Sequence, residues 1–330
     1  MKSALFCIGS PFQSLCAVEA MSYFKIEKYD FIVIDDGARL SQIEYFLKSK
    51  NVTYSVIPFH VSAYKSIIRV LRLLNLWSGK YDYLFMGDYR LTGNRLECIQ
   101  YVKNGGKVYF LDDGNYVVSF AQGSIILSQI SNIRNKLFGF FCKIRRITWK
   151  NFYTIYAKDI DLPGYNIVEN NFKSLQTKSN SLSKDIYFIG TNPKGEGGYC
   201  DYLGIDYDVY LKTVSDILTD LKEKNKTGAV YYIPHGRDLT NEIKVICNRL
   251  GVIYKTCNVC IEMEIATMMN LPSIILGFGS SALFTLHRMC PNTNIINLHI
   301  RGKNAKADKV YSQIDDMYNK VGISNQIINN

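Results

Sequence analysis

The chain has 330 residues, 47% of them hydrophobic, and a formal net charge of +10. That length suffices for two domains of ordinary size, and 7 prolines without any low-complexity tract argue against a disordered or fibrous chain. No apolar run nears the ~18 residues that span a bilayer, residues 3–8 are too short for a signal-peptide core, and the positive balance suits an anionic partner.

Strand and helix alternate through the first third. Residues 3–8 read as a strand, 11–23 as a helix with Pro11 at its start, 31–34 as a strand, 40–48 as a helix and 53–58 as a strand. The pattern continues with a helix over 62–76, a strand over 83–86, a helix over 94–103 and a strand over 107–111. Short apolar runs separated by amphipathic helices predict a parallel sheet with helical crossovers. Residues 115–184 break this rhythm: 130–149 is basic and amphipathic, 152–156 reads as a short strand, and the polar 173–184 reads as an interdomain linker. A second alternation starts at Asp185, with strands over 186–189, 230–233, 252–254, 273–276 and 294–298. Its helices are expected over 207–224, 241–250, 261–269, 281–288 and 308–318. The expected fold is α/β, with two Rossmann-like domains, 1–180 and 181–330, facing a cleft.

Nine cysteines are scattered, mostly within apolar segments, as befits free thiols in a reducing compartment rather than a disulfide framework. Cys257 and Cys260 form a single CxxC with no second pair at ligand spacing, so no zinc site is expected.

Two triplets, Asp35-Asp36-Gly37 and Asp112-Asp113-Gly114, each follow a strand. Adjacent carboxylates repel, which raises one pKa and favours a general base; the glycine lets the backbone turn. An ordinary strand-end turn explains either triplet equally simply. In a doubly wound sheet the crevice lies beside the first and fourth strands, which favours Asp113 over Asp36 as the base. The same topology puts Ser10 and Gln13 (in Gly9-Ser10-Pro11-Phe12-Gln13), Asp88 and Asp112 on the rim.

In the second half, Tyr232-Ile233-Pro234-His235-Gly236-Arg237-Asp238 leaves a strand with a His, which works as acid or base near neutral pH, and an Arg, which clamps anions. The plain alternative is a turn with solvated charge. Gly190-Thr191-Asn192 opens a Gly-rich loop whose amides can cradle a phosphate, although it matches neither a Walker A nor a dinucleotide pattern. Ser280 and Ser281 lie between a strand and a helix, where they can cap the helix, hold a phosphate at its positive end, or both. Glu262 and Glu264 start a further helix, where a carboxylate can accept from ribose hydroxyls or simply face the helix dipole.

Taken together, these motifs resemble the bacterial sialyltransferases. The resemblance rests on Asp112-Asp113-Gly114, the His235 loop, Glu264-Ile265-Ala266-Thr267-Met268-Met269-Asn270-Leu271-Pro272 and Gly279-Ser280-Ser281-Ala282-Leu283-Phe284, in that order. The opening Ile8-Gly9-Ser10-Pro11-Phe12-Gln13-Ser14-Leu15 also looks like the start of their lipooligosaccharide and polysialic acid branches, glycosyltransferase family 52 or related. Those enzymes share a D/E-D/E-G motif, a His-Pro motif and a Ser-Ser or Ser-Thr motif. The resemblance covers both domains but each motif is short, so order and spacing carry it. It implies an N-terminal acceptor-binding domain and a C-terminal domain binding CMP-sialic acid. It also implies inversion by single displacement with no metal or other cofactor. On that pattern Asp113 deprotonates the acceptor hydroxyl and His235 assists the departing CMP phosphate. Ser280 and Ser281 would bind that phosphate and Glu264 the ribose, with Gly190, Thr191, Asn192 and Arg237 as further donor-binding candidates. This chain departs from the pattern in one respect: Pro234 precedes His235 and Gly236 follows it.

Within 130–149, Ile133, Leu137, Phe140, Phe141 and Ile144 recur at helical spacing. Arg134, Lys136, Lys143, Arg145, Arg146 and Lys150 surround them, and Trp149 closes the run. Such a helix lies on an anionic bilayer, and Lys65, Arg69 and Arg72 add charge to the helix expected over 62–76. Two core helices with solvated basic faces are the simpler alternative. No nucleic-acid-binding module is evident. The expectation is thus a cytoplasmic sialyltransferase, peripheral to the inner membrane, acting on a surface glycan through a lipid-linked acceptor. The first alternative is an enzyme of the same architecture using a UDP-sugar or a CMP-linked nonulosonic acid. The second is a non-catalytic membrane-surface protein.

Overall fold

A computed structural model describes residues 1–35, 37, 39–58, 79–87, 98–121, 123, 129–173, 181–195, 198–238 and 240–329. The chain divides into two compact units, Met1–Ser174 and Leu175–Asn330.

The first unit is built on seven parallel strands: β1 (Ser3–Ile8), β2 (Lys28–Asp35), β3 (Tyr54–Pro58), β4 (Tyr81–Met86), β5 (Val102–Leu111), β6 (Asn151–Thr154) and β7 (Asn166–Glu169). Their order across the sheet is β3-β2-β1-β4-β5-β6-β7. β1 is buried along its whole length, which is why it reads as an unbroken apolar run and not an alternation. Register aligns Phe6 with Phe31 on one side and Phe85 on the other, and its ring stacks on each at 4.8 Å. That aromatic row packs β1 between β2 and β4. Helix Pro11–Phe24 follows with Pro at its start, Ser10 as N-cap and a left-handed Lys25 ending it.

The helix expected over 94–103 is corrected at its C-terminal end, because β5 already begins at Val102; residues 94–97, and the helix expected over 62–76, lie outside the described residues. Asn104-Gly105-Gly106 looks like a turn in sequence, yet it is an irregularity inside the strand. Pairing jumps from Tyr81↔Val102 to Tyr83↔Lys107, with Gly105 at φ +77°, a conformation costly for other residues. Arg145 holds this bulge. Its guanidinium is buried and donates to Ile99 O at 2.7 Å, to Asn104 Oδ1 at 3.1 Å and to Val102 O. Arg145 was expected among the solvent-facing basic residues of the amphipathic stretch. Backbone carbonyls that would otherwise lack donors draw it inward.

The second unit has six parallel strands: β8 (Ile186–Ile189), β9 (Val230–Ile233), β10 (Ile253–Tyr254), β11 (Ile274–Phe278), β12 (Asn294–Ile300) and β13 (Ser324–Ile328). Their order is β10-β9-β8-β11-β12-β13, again a doubly wound sheet that reverses direction beside its first strand. One face packs a core that includes Phe188, Tyr210, Tyr232, Val214 and Phe278, and Phe188 stacks on its register partner Tyr232 at 5.4 Å. Tyr207–Lys224 is a helix as the sequence predicts, capped by Asp206. The chain does not close on its last helix: β13 follows it and pairs with β12.

Candidate functional site

In each sheet the strand order reverses beside the first strand, and that is where open α/β sheets receive ligands, outside the carboxyl ends of the strands. Gln13 and the Gly190 and Ser280 loops lie beside these reversals, whereas His235 follows β9 and Glu264 follows the edge strand β10.

In the first unit the loops leaving β1 and β4 converge on Gln13. Its Oε1 accepts from Gly9 N at 2.6 Å, and its Nε2 donates to Asp113 Oδ1 at 2.8 Å. Gly87, at the end of β4, makes room for this: a Cβ there would lie 2.1 Å from Gln13 Oε1. Asp113 follows β5, is partly exposed, and has its side chain turned towards the reversal point by that bond. Gln13 itself is buried, so it serves as a positioning residue rather than a rim contact. Ser10 is also buried, its hydroxyl engaged as helix cap to Gln13 N at 3.1 Å. Both were expected on the rim; the capping bond draws the Ser10 hydroxyl inward, and the bonds to Gly9 and Asp113 hold the Gln13 amide. Asp88 and Asp36 lie outside the described residues.

Asp112 is likewise corrected from rim to interior. Its Oδ1 accepts from Thr154 Oγ1 at 2.5 Å and its Oδ2 from Ile155 N at 2.9 Å, tying the end of β5 to the chain leaving β6. Burial pushes its carboxyl up to about 7 against these donors, and neighbouring Asp113 adds to the rise. The repelling pair expected from the sequence therefore exists. Its raised member is the buried Asp112, and the partly exposed one is Asp113.

In the second unit, Gly190-Thr191-Asn192 leaves β8 and Gly279-Ser280-Ser281 leaves β11, the adjacent strand. Gly190 has a packing reason to be glycine, since a Cβ would lie 2.3 Å from the Tyr232 hydroxyl, and its N–H is spent on Ile233 O at 2.8 Å. The phosphate-cradle expectation for this loop therefore rests on Thr191 and Asn192, both partly exposed.

The Ser loop is more elaborately held. Ser280 caps helix Ser281–Met289 through Ala282 N at 3.3 Å. Gly279, at φ +54°, sits against the Tyr311 ring, with no space for a Cβ, and its N–H donates to Asn297 Oδ1 at 2.8 Å. The Tyr318 hydroxyl donates to Ser280 O at 2.8 Å. Behind Asn297 a buried polar cluster continues: its Nδ2 donates to Asp315 Oδ1 and to Asn325 Oδ1, both at 2.7 Å, and Asp315 Oδ2 accepts from His299 Nδ1 at 2.6 Å. Ser280 and Ser281 stay partly exposed at the amino end of a nine-residue helix, so hydroxyl and dipole together favour an anion there.

His235, after β9, is exposed; its Nδ1 accepts from Arg237 N at 3.1 Å and its carbonyl from Asp238 N at 2.8 Å. Gly236 thus sits in a tight turn that folds back on the imidazole. Glu264 forms an ion pair with Lys255 at 2.7 Å, both side chains about one-quarter exposed, which leaves its second oxygen to accept from another donor. Glu262, the other helix-start carboxylate, is buried, and that burial raises its pKa.

Asn297, Asp315, His299, Tyr318 and Lys255 were not singled out in the sequence. One signal was there: Asn297 and His299 stand two apart in a mostly apolar strand, hence on one face, and buried polar pairs of that kind require partners. A separate cavity of about 400 Å³ lies towards the starts of β3 and β4. Its Asp30 is already paired with Lys80 at 2.8 Å and with the Tyr81 hydroxyl, and none of the motifs reaches it.

No protein-family model matches the chain, and no curated protein matches it in sequence. In structure it is similar to the α/β-galactoside α-2,3-sialyltransferase of Photobacterium phosphoreum, with 14% identity, 98% of each chain covered and a TM-score of 0.54. S. aureus MnaA in a co-structure with UDP is similar at 10% identity, covering 98% of this chain and 92% of that one, with a TM-score of 0.52. A putative UDP-N-acetylglucosamine 2-epimerase of Listeria monocytogenes has the same coverage and TM-score at 9% identity. At these identities the likeness is one of fold. The chain has the GT-B architecture of two Rossmann-like domains.

Proposed function

We propose that this protein is an inverting sialyltransferase that moves sialic acid from CMP-sialic acid to a sugar hydroxyl, a galactose of a bacterial surface glycan. The observation that carries the reading is Asp113 held by Gln13 at the reversal point of the first sheet. It supports the role that the motif order implies. In this account the acceptor oxygen attacks the anomeric carbon of the sialyl group while its proton passes to Asp113. The bond from that carbon to the CMP phosphate oxygen breaks, and the electron pair leaves with the phosphate. Ser280, Ser281 and the helix N-terminus stabilise the charge that develops there, and His235 hydrogen-bonds or protonates the same phosphate. Glu264 accepts from the ribose, and Arg237, Thr191 and Asn192 complete the donor contacts. The donor carries its own leaving group, and no metal is invoked. The glycan is lipid-linked and the enzyme works at the inner face of the inner membrane.

A second reading has support of its own: a sugar-nucleotide enzyme of the same architecture that uses a UDP-sugar, as the UDP in the S. aureus neighbour suggests. A CMP-linked nonulosonic acid other than sialic acid belongs with it. Calorimetric titration with CMP and with UDP separates nucleotide preference. The sialyl reading expects saturable CMP binding at least tenfold tighter than UDP, and a preference for UDP overturns it. A non-catalytic surface protein, the remaining alternative, requires Asp113→Ala and His235→Ala to leave function untouched.

A further inference from the structure

Helix Gln129–Ile144, the crossover between β5 and β6, presents an apolar stripe to solvent. Ile133 is 60% exposed, Leu137 37%, Phe140 57% and Ile144 49%. At about 100° per residue these four positions fall within an arc of roughly 60°. The opposite side is already satisfied: Phe138 and Cys142 are buried, and the Phe138 ring meets Trp149 edge to face at 5.5 Å. The exposed stripe is therefore surplus to the core.

Its surroundings indicate what covers it. Lys136 and Lys143 are exposed and fall together on one flank of the stripe, while Arg146 and Lys150 are exposed just beyond the helix end. No Asp or Glu occurs between Asp113 and Asp159, so no carboxylate of this segment offsets that charge. A second copy of the same face would bring these cations against one another. A surface of anionic headgroups over acyl chains satisfies both the charge and the apolar side chains. Among the described residues no helix is long and apolar enough to cross a membrane, and contact along one helix face needs none.

We propose that the Ile133–Leu137–Phe140–Ile144 face, flanked by Lys136, Lys143 and Arg146, is a docking surface for an anionic lipid bilayer, with the helix lying in the interfacial plane. Arg145 takes no part, because its guanidinium is committed to Ile99, Val102 and Asn104. The proposal names the membrane partner assumed under the functional reading, but its test does not depend on sugar transfer.

The test is co-sedimentation of the full chain with vesicles of phosphatidylcholine alone and of phosphatidylcholine with phosphatidylglycerol, at low and high salt. The wild type is expected to bind the anionic vesicles preferentially and to release as salt rises. Leu137→Asp/Phe140→Asp, two changes at exposed positions, is expected to weaken binding at least tenfold. Lys136→Gln/Lys143→Gln is expected to weaken it about fivefold for each cation removed. Circular dichroism and thermal melting confirm that each variant is folded. Equal vesicle binding by the wild type and the Asp variant overturns the proposal. So does a wild type that ignores both vesicles but self-associates in sedimentation velocity through a face that the Asp variant abolishes. A chain that binds vesicles yet fails to turn over any sugar nucleotide leaves the docking surface standing and removes the catalytic reading.

Discussion

Gln13 holds Asp113: one end of its amide accepts from Gly9 N at 2.6 Å and the other donates to Asp113 Oδ1 at 2.8 Å. The amide is fixed by the first backbone N–H beyond β1, so the carboxylate takes its position from the end of that strand. Asp113→Asn is expected to lower turnover by about a hundredfold or more, the ordinary worth of a general base, with CMP affinity unchanged. Gln13→Ala leaves the carboxylate in place but removes the amide that positions it. It is expected to lower kcat between about tenfold and a hundredfold while KM for donor and acceptor stays within twofold. Steady-state kinetics with both substrates varied reads the split.

The two serines separate capping from binding. Ser280 accepts from Ala282 N, so Ser280→Ala is expected to cost about 0.5–2 kcal/mol of stability as a lost cap, with weaker CMP binding besides. Ser281 carries no such cap. Ser281→Ala is expected to melt within a degree or two of the wild type and to lose about tenfold in CMP affinity, a hydrogen bond to a charged group. Thermal melts and nucleotide titrations on the same samples decide it.

Asp112 makes a pH prediction. Its carboxyl is raised to about 7 in the folded chain against an ordinary value near 4 when unfolded. Between these values the folded state keeps a proton that the unfolded state has released. This contribution to stability is therefore full below about pH 4, declines at about 1.4 kcal/mol per pH unit, and is gone above about pH 7. Asp112→Asn keeps an oxygen for Ile155 N and an amide for the Thr154 hydroxyl. Subtracting its urea-denaturation profile from that of the wild type, from pH 4 to 8, should reveal the decline; a flat difference contradicts the assignment.

The Ser loop should depend on residues that never touch a ligand. Tyr318→Phe removes the donor to Ser280 O and is expected to cost about 1 kcal/mol with a severalfold loss of CMP affinity. Asn297→Ala removes the acceptor of Gly279 N and the donor to one oxygen of Asp315, at about 1–3 kcal/mol, with a larger loss of affinity. Tyr318→Phe is the cleaner probe of positioning because it perturbs the core least. CMP titration at a temperature well below both melting points is the readout.

Much of this organisation was legible in the sequence because it follows from periodicity. β1 and β8 announce themselves as unbroken apolar runs, and helix Tyr207–Lys224 as a long amphipathic stretch behind an Asp cap. β13 was hidden: Ser-Asn-Gln-Ile-Ile at the sheet edge is largely exposed, and an edge strand carries little of the hydrophobic signal. β5 was cut short because Asn104-Gly105-Gly106 reads as a turn, and only the buried Arg145 shows why the strand runs through it. At the candidate site the loops could be located but the orientation of side chains could not. Asp112 and Asp113 are indistinguishable as letters, and Thr154, Ile155 and Gln13 decide which of them turns inward.

The most direct measurement is transfer itself. Purified protein is incubated with CMP-sialic acid or a panel of UDP-sugars, together with a galactose-terminated acceptor, and product and free CMP are counted for wild type and Asp113→Asn. The account predicts saturable sialyl transfer from CMP-sialic acid that the Asn variant loses while still binding CMP. Turnover confined to a UDP-sugar, or undiminished sialyl transfer by Asp113→Asn, would contradict it.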